Sequence, residues 1–353
     1  TPDEVAAAGA EMILVNAYHL YLRPGHEHIA RLGGVHSFMG WPGPVLSDSG
    51  GFQVFSLAAM VKVSEDGVRF RSHIDGSLHE YTPELAIEVQ RALGVDIAMP
   101  LDHVVGGDAS PAEARRAGER TVRWFDRCRE EAAELPVFAI VQGGTDADLR
   151  VEQARAFRER EPVGYAIGGL SVGESKAAMW EMVEAVCREL PAGSPRYLMG
   201  VGSPEDLVRG VALGIDMFDC VLPTRLGRTG SLFTDEGRVS IRNARFRDDG
   251  RPLDEEFEPL AGFTWAYLHH LFRAEELLGY RLATLYNVRY VERLMGRLRV
   301  AIESGTLDEF VSDFLGRYEV TDEGVRASQR AKWRDSGAGR GRGEGRAESG
   351  VRD

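Results

Sequence analysis

Seven short apolar segments, separated by helices with a shared type of start, constrain the fold of this chain more than any other feature. The segments lack a clean polar alternation, as expected for parallel strands that are covered on both faces. Capping boxes with proline at the first helical position begin two of the helices, and close variants begin two more. The segments are residues 12–16, 45–49, 97–101, 137–142, 165–170, 197–201 and 215–220, and the helices are predicted at 83–93, 111–134, 176–189 and 204–213.

Strands that alternate with capped helices predict a parallel sheet, and the chain length favours an α/β fold of the (β/α)8 TIM barrel type, which needs about 250 residues. Only seven strands are counted, and the chain opens on a capped helix at Thr1, so we expect the first barrel strand to lie before it.

The expected units are a barrel core at 1–230 with a hairpin insertion near 61–81, an insertion with C-terminal helices at 231–318 that completes the barrel, and a disordered tail at 326–353. Two of the C-terminal helices are predicted at 265–278 and 288–304.

The composition is that of an ordinary globular protein, with 43% hydrophobic and 27% charged residues. No segment approaches the roughly 18 apolar residues of a membrane span. The three widely spaced cysteines fit neither a disulfide framework nor a metal knuckle, which indicates a reducing, cytoplasmic location. The net charge of −13 excludes a uniformly positive surface, but seven arginines between residues 225 and 251 form a local basic strip.

The residues at the ends of the predicted strands are unusually polar. In a barrel, the carboxyl ends of the strands meet on one face, where the working residues of enzymes lie. Three carboxylates gathered there repel one another and cost stability, so they indicate an enzyme rather than a structural protein. These strand-end residues are Asn16, Asp48, Asp102, Gln142, Gly168, Gly169, Met199 and Asp219.

The segment at 214–230 suggests a reacting group. Asp219 follows a short apolar strand, a Pro-Thr turn is expected next, and Arg225 and Arg228 come after it. A carboxylate beside two guanidinium groups is typical of a nucleophile with phosphate-binding arginines. The alternative is an aspartate that caps the turn, followed by two solvated arginines, and this segment alone does not separate the two.

Glycine-rich turns follow three of the strands. The first places Phe52 where it can stack on a flat ring, although a tight turn with a buried phenylalanine is the alternative. The turns at 142–144 and 168–174 match neither a GxGxxG nor a Walker pattern, so we predict no nucleotide cofactor. Side-chain amides and free peptide N–H groups suit the edge of a purine-like base instead.

Four segments, taken together, resemble the tRNA-guanine transglycosylase family, which are (β/α)8 enzymes. They are DSGGFQVFSL at 48–57, GGLSVGE at 168–174, YLMGVG at 197–202 and MFDCVLPTRLGRTG at 217–230. The resemblance implies exchange of the wobble guanine in the tRNA anticodon loop for a 7-deazaguanine base. It makes Asp219 the nucleophile that forms a covalent ribosyl-enzyme, and Asp48 the general acid/base.

The resemblance also implies the residues that bind the two substrates. Asp102 reads the N–H edge of the base, Gln142 and the Gly169 peptide donate to its carbonyl oxygen, and the Leu170 carbonyl faces an aminomethyl substituent. The remaining implied roles are stacking on the base by Phe52 and Met199, orientation of Asp48 by Asn16 and Gln53, and binding of the RNA by Arg225, Arg228, Arg242 and Arg245.

The chain departs from the family at the structural zinc site. Relatives carry a CxCxxC cluster and a later histidine, whereas residues 253–260 contain no cysteine and Tyr286 stands at the expected histidine position. We therefore predict no metal and no cofactor, with Phe257, Leu260, Phe263 and Tyr286 forming an apolar cluster instead. In relatives the zinc subdomain contacts the tRNA and the second subunit of a homodimer, so its change bears on both partners. Val172 narrows the pocket and favours 7-aminomethyl-7-deazaguanine over queuine.

Three other functions remain open from the sequence. The lost zinc ligands suit a silent RNA-binding paralogue, but the three retained carboxylates argue against it. A deazaguanine exchange enzyme acting on DNA is disfavoured by the arginine motif. A barrel glycosidase would use Asp48 and Asp219 on a sugar. Transfer of labelled guanine to tRNA, transfer to DNA, and release of sugar without base exchange distinguish them.

Overall fold

The computed structural model describes residues 1–57, 59–106 and 109–319 of the 353-residue chain, and the predicted tail at 326–353 lies outside the described residues. The strands are β1 (Ile13–Asn16), β2 (Val45–Asp48), β3 (Ala59–Val63), β4 (Val68–Arg71), β5 (Leu78–Tyr81), β6 (Ile97–Ala98), β7 (Ala139–Val141), β8 (Tyr165–Ile167), β9 (Arg196–Leu198), β10 (Met217–Phe218), β11 (Ser231–Thr234) and β12 (Gly237–Ser240).

The helices are α1 (Pro2–Ala7), α2 (Ala17–Leu22), α3 (His26–Arg31), α4 (Gly34–Met39), α5 (Gly51–Leu57), α6 (Pro83–Leu93), α7 (Pro111–Ala132), α8 (Ala147–Arg158), α9 (Lys176–Glu189), α10 (Pro204–Ala212), α11 (Leu222–Thr229), α12 (Glu258–Ala261), α13 (Trp265–Ala274), α14 (Leu277–Glu303) and α15 (Leu307–Arg317), with a short 3-10 helix at Ala244–Phe246. No helix in these described ranges is both long and apolar enough to cross a membrane.

The seven predicted strands form parallel pairs in the order in which they occur in the chain. β1, β2 and β6 make one sheet, and β7, β8, β9 and β10 make another. A parallel bridge between Ala98 and Val137 connects the two sheets. The prediction of parallel strands alternating with helices is therefore confirmed. No pairing between β10 and β1 occurs among the described residues, so the structure does not show a closed ring.

The predicted helix caps are present in three of four cases. The Thr1 and Ser110 hydroxyls accept hydrogen bonds from the backbone N–H groups of Glu4 and Glu113. In return, the Glu4 and Glu113 carboxylates accept hydrogen bonds from the backbone nitrogens of Thr1 and Ser110. Thr82 caps α6 alone. Ser203, in contrast, makes no cap bond to the backbone, because its hydroxyl donates to the Asp206 carboxylate at 2.7 Å.

Three predicted boundaries after residue 220 are wrong. The expected Pro-Thr turn is the start of α11, which carries Arg225 and Arg228. The helix predicted at 265–278 ends at Ala274, since Glu275 adopts a left-handed conformation with φ of 59°. The helix predicted at 288–304 begins eleven residues earlier, at Leu277, because its first turns bury an apolar face that local periodicity did not reveal. Helix α8, capped by Asp146, was not predicted at all.

The predicted hairpin is confirmed, with its turn at Asp66 and Gly67. The Ser64 N–H bonds to the Gly67 carbonyl at 2.9 Å, and β4 pairs antiparallel with β3. A third strand, β5, pairs with the other edge of β4, so the insertion is a three-stranded sheet that begins at Ala59 rather than at residue 61.

A second apolar cluster lies in the segment after β10, separate from the core beneath the parallel strands. Trp265 stacks on Phe246 with ring centroids 5.0 Å apart and meets Tyr286 edge-on at 5.4 Å. Helices α11 and α14 approach closely, because Gly227 has no side chain and a Cβ there would lie 2.7 Å from the backbone of Thr284. This cluster thus supports the helix that follows Asp219.

Candidate functional site

The ends of β1 and β2 place Asn16 beside Asp48. The two residues are direct partners in the parallel register. Asn16 Nδ2 donates to Asp48 Oδ2, and the Ala17 N–H donates to Oδ1 at 3.0 Å. Asn16 is therefore a direct partner of Asp48, and its role in orienting that carboxylate for catalysis stays a prediction. Gln53 makes no hydrogen bond to Asp48 among the described residues, and its buried Oε1 has no partner there, so its role stays a prediction.

Asp102 and Gln142 form a buried pair behind the glycine turn that follows β2. Gln142 Nε2 donates to Asp102 Oδ2 at 2.7 Å. A Cβ on Gly51 would lie 2.5 Å from Asp102 Oδ1, so only glycine leaves room for this carboxylate. Burial raises the pKa of Asp102 to about 6, although the Gln142 amide works in the opposite direction.

Asp48 interacts electrostatically with both other strand-end acids. Burial is the main reason that the pKa of Asp48 rises to about 7, and the negative charges of Asp219 and Asp102 raise it further. The backbone N–H groups of Ala17 and Gly50 oppose this rise. The fold thus gathers the three predicted carboxylates in one site, and Asp48 can gain or lose a proton near neutral pH.

Hydrogen bonds fix one of the two carboxylate oxygens of Asp219, Oδ1. The Tyr197 hydroxyl and the Gly200 N–H, at 2.8 Å, both donate to Oδ1. No hydrogen bond from the described residues reaches Oδ2, and the side chain is only half-buried. One oxygen is therefore fixed while the other can attack a bound group. Tyr197 is not predictable from the sequence, because a tyrosine inside an apolar strand gives no local sign of a polar partner.

The turn after β8 folds around a fourth carboxylate, that of Glu174, for which the sequence predicted no role. The Glu174 side chain accepts hydrogen bonds from the N–H groups of Ser171, Val172 (3.0 Å) and Gly173 (3.1 Å). Leu170 is buried at the start of this turn. An acid just after a glycine-rich strand end is the signal that could have identified Glu174, since successive N–H groups in such a turn bind anions.

The two side chains predicted to stack on the base differ in exposure. Phe52 is 46% exposed on α5, so the alternative of a turn with a buried phenylalanine is wrong. Met199 is half-buried at the end of β9 and packs partly against the core. Both can present a flat apolar surface, and their role as stacking partners stays a prediction.

The predicted RNA-binding arginines fall into two groups. Arg225 and Arg228 are exposed on α11, and neither takes part in an ion pair among the described residues. Arg242 donates to the Phe272 carbonyl at 2.8 Å and lies over its ring, and Arg245 lies over the ring of Phe246 at 4.7 Å. The first pair is therefore free to bind phosphate, whereas the second pair is braced against aromatic rings.

The four side chains predicted to replace the zinc site lie in or against the second apolar cluster. Phe257 and Leu260 are buried in the second apolar cluster, and Phe263 and Tyr286 pack against it. The Arg289 guanidinium lies 5.3 Å from the centroid of the Phe257 ring. No group of three or more His, Cys, Asp or Glu residues in the described ranges could hold a metal ion. These side chains do not fit zinc, which needs thiolate or imidazole donors.

Comparison with known proteins gives one consistent result. The sequence profile of the family described as "Queuine tRNA-ribosyltransferase" matches residues 1–320. A protein of that name from Herpetosiphon aurantiacus is 51% identical over 334 residues, which cover 94% of this chain and 85% of the relative. Another from Pelotomaculum thermopropionicum is 52% identical over 323 residues, covering 90% and 87%. A third, from Dictyoglomus turgidum, is 48% identical over 340 residues, covering 94% and 88%.

The raised pKa of Asp48 predicts a pH-dependent stability. The native state binds this proton more tightly than the unfolded chain, so the stabilisation is complete below the ordinary pKa of 3.8 and is lost as the pH rises through about 7. Asp48→Asn removes the titration. Between about pH 5 and about pH 8, the variant should therefore gain at least about 1.4 kcal/mol of unfolding free energy relative to the original chain.

Urea unfolding at the two pH values measures this difference. Asp308→Asn, an exposed substitution on α15, serves as the control and should track the original chain. A difference between Asp48→Asn and the original chain that does not change with pH would show that the pKa of Asp48 is not raised.

Proposed function

The chain belongs to the queuine tRNA-ribosyltransferase family, and from this we propose that it replaces the wobble guanine of a tRNA with a 7-deazaguanine base in queuosine biosynthesis. The observation that carries the proposal is the gathering of three carboxylates in one site, with Asp219 Oδ2 accepting no hydrogen bond from the described residues and Asp48 able to titrate near neutral pH. Members of the family are pentosyltransferases, and the reaction needs no cofactor.

The proposed reaction has two half-reactions of the same kind. Asp219 Oδ2 attacks the ribose C1′ of the target nucleotide as the C1′–N9 bond breaks, and the bonding electron pair leaves with guanine. Asp48, initially protonated, donates its proton to the departing base, and the ribose is then held as an ester of Asp219. The incoming base attacks C1′ from the same side as guanine left, transfers its proton to Asp48 and releases Asp219.

Base recognition in this proposal uses the buried pair and the turn after β8. Asp102 accepts from the N–H edge of the base, while Gln142 and the Gly169 N–H donate to its carbonyl oxygen. The Leu170 carbonyl accepts from an aminomethyl group, and Phe52 and Met199 enclose the ring. The Val172 side chain limits the space beyond the aminomethyl group, which favours 7-aminomethyl-7-deazaguanine over queuine.

The proposal also covers the barrel architecture, the approach of the tRNA, the cellular location and the homodimer. We infer that the seven parallel strands form the wall of a (β/α)8 barrel, and that the anticodon loop approaches its carboxyl face beside α11. Extrusion of a base from a single-stranded loop costs only a few kcal/mol, so no nucleotide hydrolysis is required. A cytoplasmic location agrees with the three cysteines, which are all free thiols. The homodimer of the family is part of the same proposal.

The nucleophile is tested by base exchange. Radiolabelled guanine is incubated with the full chain and, in parallel reactions, with unmodified tRNA, DNA or a glycoside. The chain should transfer label into tRNA alone and form a tRNA adduct that survives denaturation. Asp219→Ala should remove the adduct and lower exchange by at least about a thousandfold, because the proposed covalent intermediate is an ester of this carboxylate. Asp308→Ala is the control and should leave both unchanged.

Each other outcome of this assay contradicts the proposal in its own way. Label in DNA but not in tRNA indicates the DNA enzyme, and sugar release without exchange indicates a glycosidase. Binding of tRNA with neither label nor adduct indicates a silent paralogue. An adduct that persists in Asp219→Ala would show that the nucleophile is another residue.

The two free arginines of α11 are expected to bind phosphates of the anticodon loop. Arg225→Gln and Arg228→Gln should each raise the KM for tRNA about fivefold or more and reduce the salt dependence of tRNA binding by about one ion, while the KM for guanine stays constant. Arg188→Gln, on the exposed face of α9, is the matched control. If Arg225→Gln and Arg228→Gln have the same KM for tRNA as Arg188→Gln and the original chain, this role is contradicted.

The apolar replacement of the zinc site predicts a metal-independent fold. Metal analysis of the purified chain should find no tightly bound zinc, and the unfolding midpoint should be the same before and after dialysis against a chelator. Phe257→Ala should destabilise the chain by about 3–5 kcal/mol, because it leaves a cavity in the cluster. One tightly bound zinc ion per chain would refute the prediction.

A further inference from the structure

A fully buried arginine lies behind the glycine turn that is proposed to read the base. Arg150 stands in the first turn of α8 and has no exposed surface. Its Nε donates to the Gly144 carbonyl at 2.7 Å, and Nη1 donates to the Val141 carbonyl at 3.3 Å. Its Nη2 donates to the carbonyls of Gly168 at 3.1 Å and Gly169 at 3.5 Å. One side chain therefore connects the ends of β7 and β8.

The surroundings of Arg150 are unusual for a buried charge. Among the described residues, no carboxylate forms an ion pair with it, and its partners are backbone carbonyls. Burial lowers the pKa of Arg150 to about 10, with Glu174 acting in the opposite direction, so the group remains charged at neutral pH. Burying a guanidinium without an ion pair is costly. An apolar side chain would avoid that cost, so the arginine suggests a role beyond packing.

The contact with the Gly168 carbonyl fixes the direction of one peptide group. In a trans peptide the C=O and the N–H point in opposite directions. Because the Gly168 oxygen faces Arg150, the Gly169 N–H, which belongs to the same peptide, must face away from it. Gln142 lies against this peptide as well, since a Cβ on Gly168 would lie 2.9 Å from Gln142 Nε2 and a Cβ on Gly169 would overlap its Oε1.

We propose that Arg150 is a positioning residue for base recognition, which holds the Gly168–Gly169 peptide so that its N–H donates to the 6-oxo oxygen of the base. The inference rests on the proposed function. The positive charge behind the carbonyl also polarises this peptide, which strengthens the N–H as a donor. Negative charge develops on the base as the C1′–N9 bond breaks, so the same contact stabilises the leaving group.

The test compares two bases that differ at the 6-position. Equilibrium dialysis with radiolabelled guanine, which has the oxo group, and 2-aminopurine, which lacks it, gives the dissociation constant of each base. Arg150→Met should weaken guanine binding about tenfold and leave 2-aminopurine binding nearly unchanged, because only guanine uses the N–H donor. Arg150→Lys, which keeps the charge but cannot span both strand ends, should show the same selectivity.

Controls separate positioning from loss of structure. Arg155→Met, on the same helix but paired with Glu189 at the surface, should bind both bases as the original chain does. Unfolding midpoints identify the variants that fold. If Arg150→Met does not fold, the binding test is made with Arg150→Lys. A folded Arg150 variant that binds guanine normally, or that loses affinity for both bases equally, overturns the inference. Failure of the original chain to bind guanine contradicts the proposed function instead.

Discussion

The crowding of three carboxylates, two of them desolvated by the fold, is the constraint on which the rest of the site depends. Parallel strands bring their carboxyl ends to one edge, so Asp48, Asp102 and Asp219 are crowded by the topology itself. The fold compensates with separate donors for each acid: Asn16 for the first, Gln142 for the second, and Tyr197 with the Gly200 N–H for the third. Burial still raises the pKa values of both Asp48 and Asp102, and for Asp48 the negative charges of Asp219 and Asp102 add to the rise, so a proton on Asp48 is available near neutral pH.

Local sequence signals predicted the elements whose ends are determined by neighbouring residues. The hairpin turn at Asp66 and the capping boxes at Thr1 and Ser110 are of this kind, because the bonds that define them span only a few positions. The start of α14 at Leu277 was not predicted, because packing of this helix against the second apolar cluster, rather than a local signal, determines where it begins. Propensity is a weak guide wherever such packing decides the boundary.

The same distinction explains which site residues could be found from the sequence. Asp48, Asp102 and Asp219 are conspicuous because a carboxylate that ends an apolar strand needs an explanation. Tyr197 and Arg150 give no such signal, because their partners are 22 and up to 19 residues away and one sits inside a strand, the other in a helix. The donors that hold the reacting groups are therefore harder to predict than the groups themselves.

The second apolar cluster links Tyr286 on α14 to the segment that carries the nucleophile. Tyr286 packs in that cluster, and the next residue, Asn287, is fully buried. Its Oδ1 accepts from the Phe233 N–H at 3.0 Å, and its Nδ2 donates to the carbonyls of Pro223 (3.0 Å) and Ser231 (2.9 Å). These bonds fix the first turn of α11, four residues after Asp219. Because α14 carries both residues, apolar packing around Tyr286 and the hydrogen bonds of Asn287 together position α11 and its arginines.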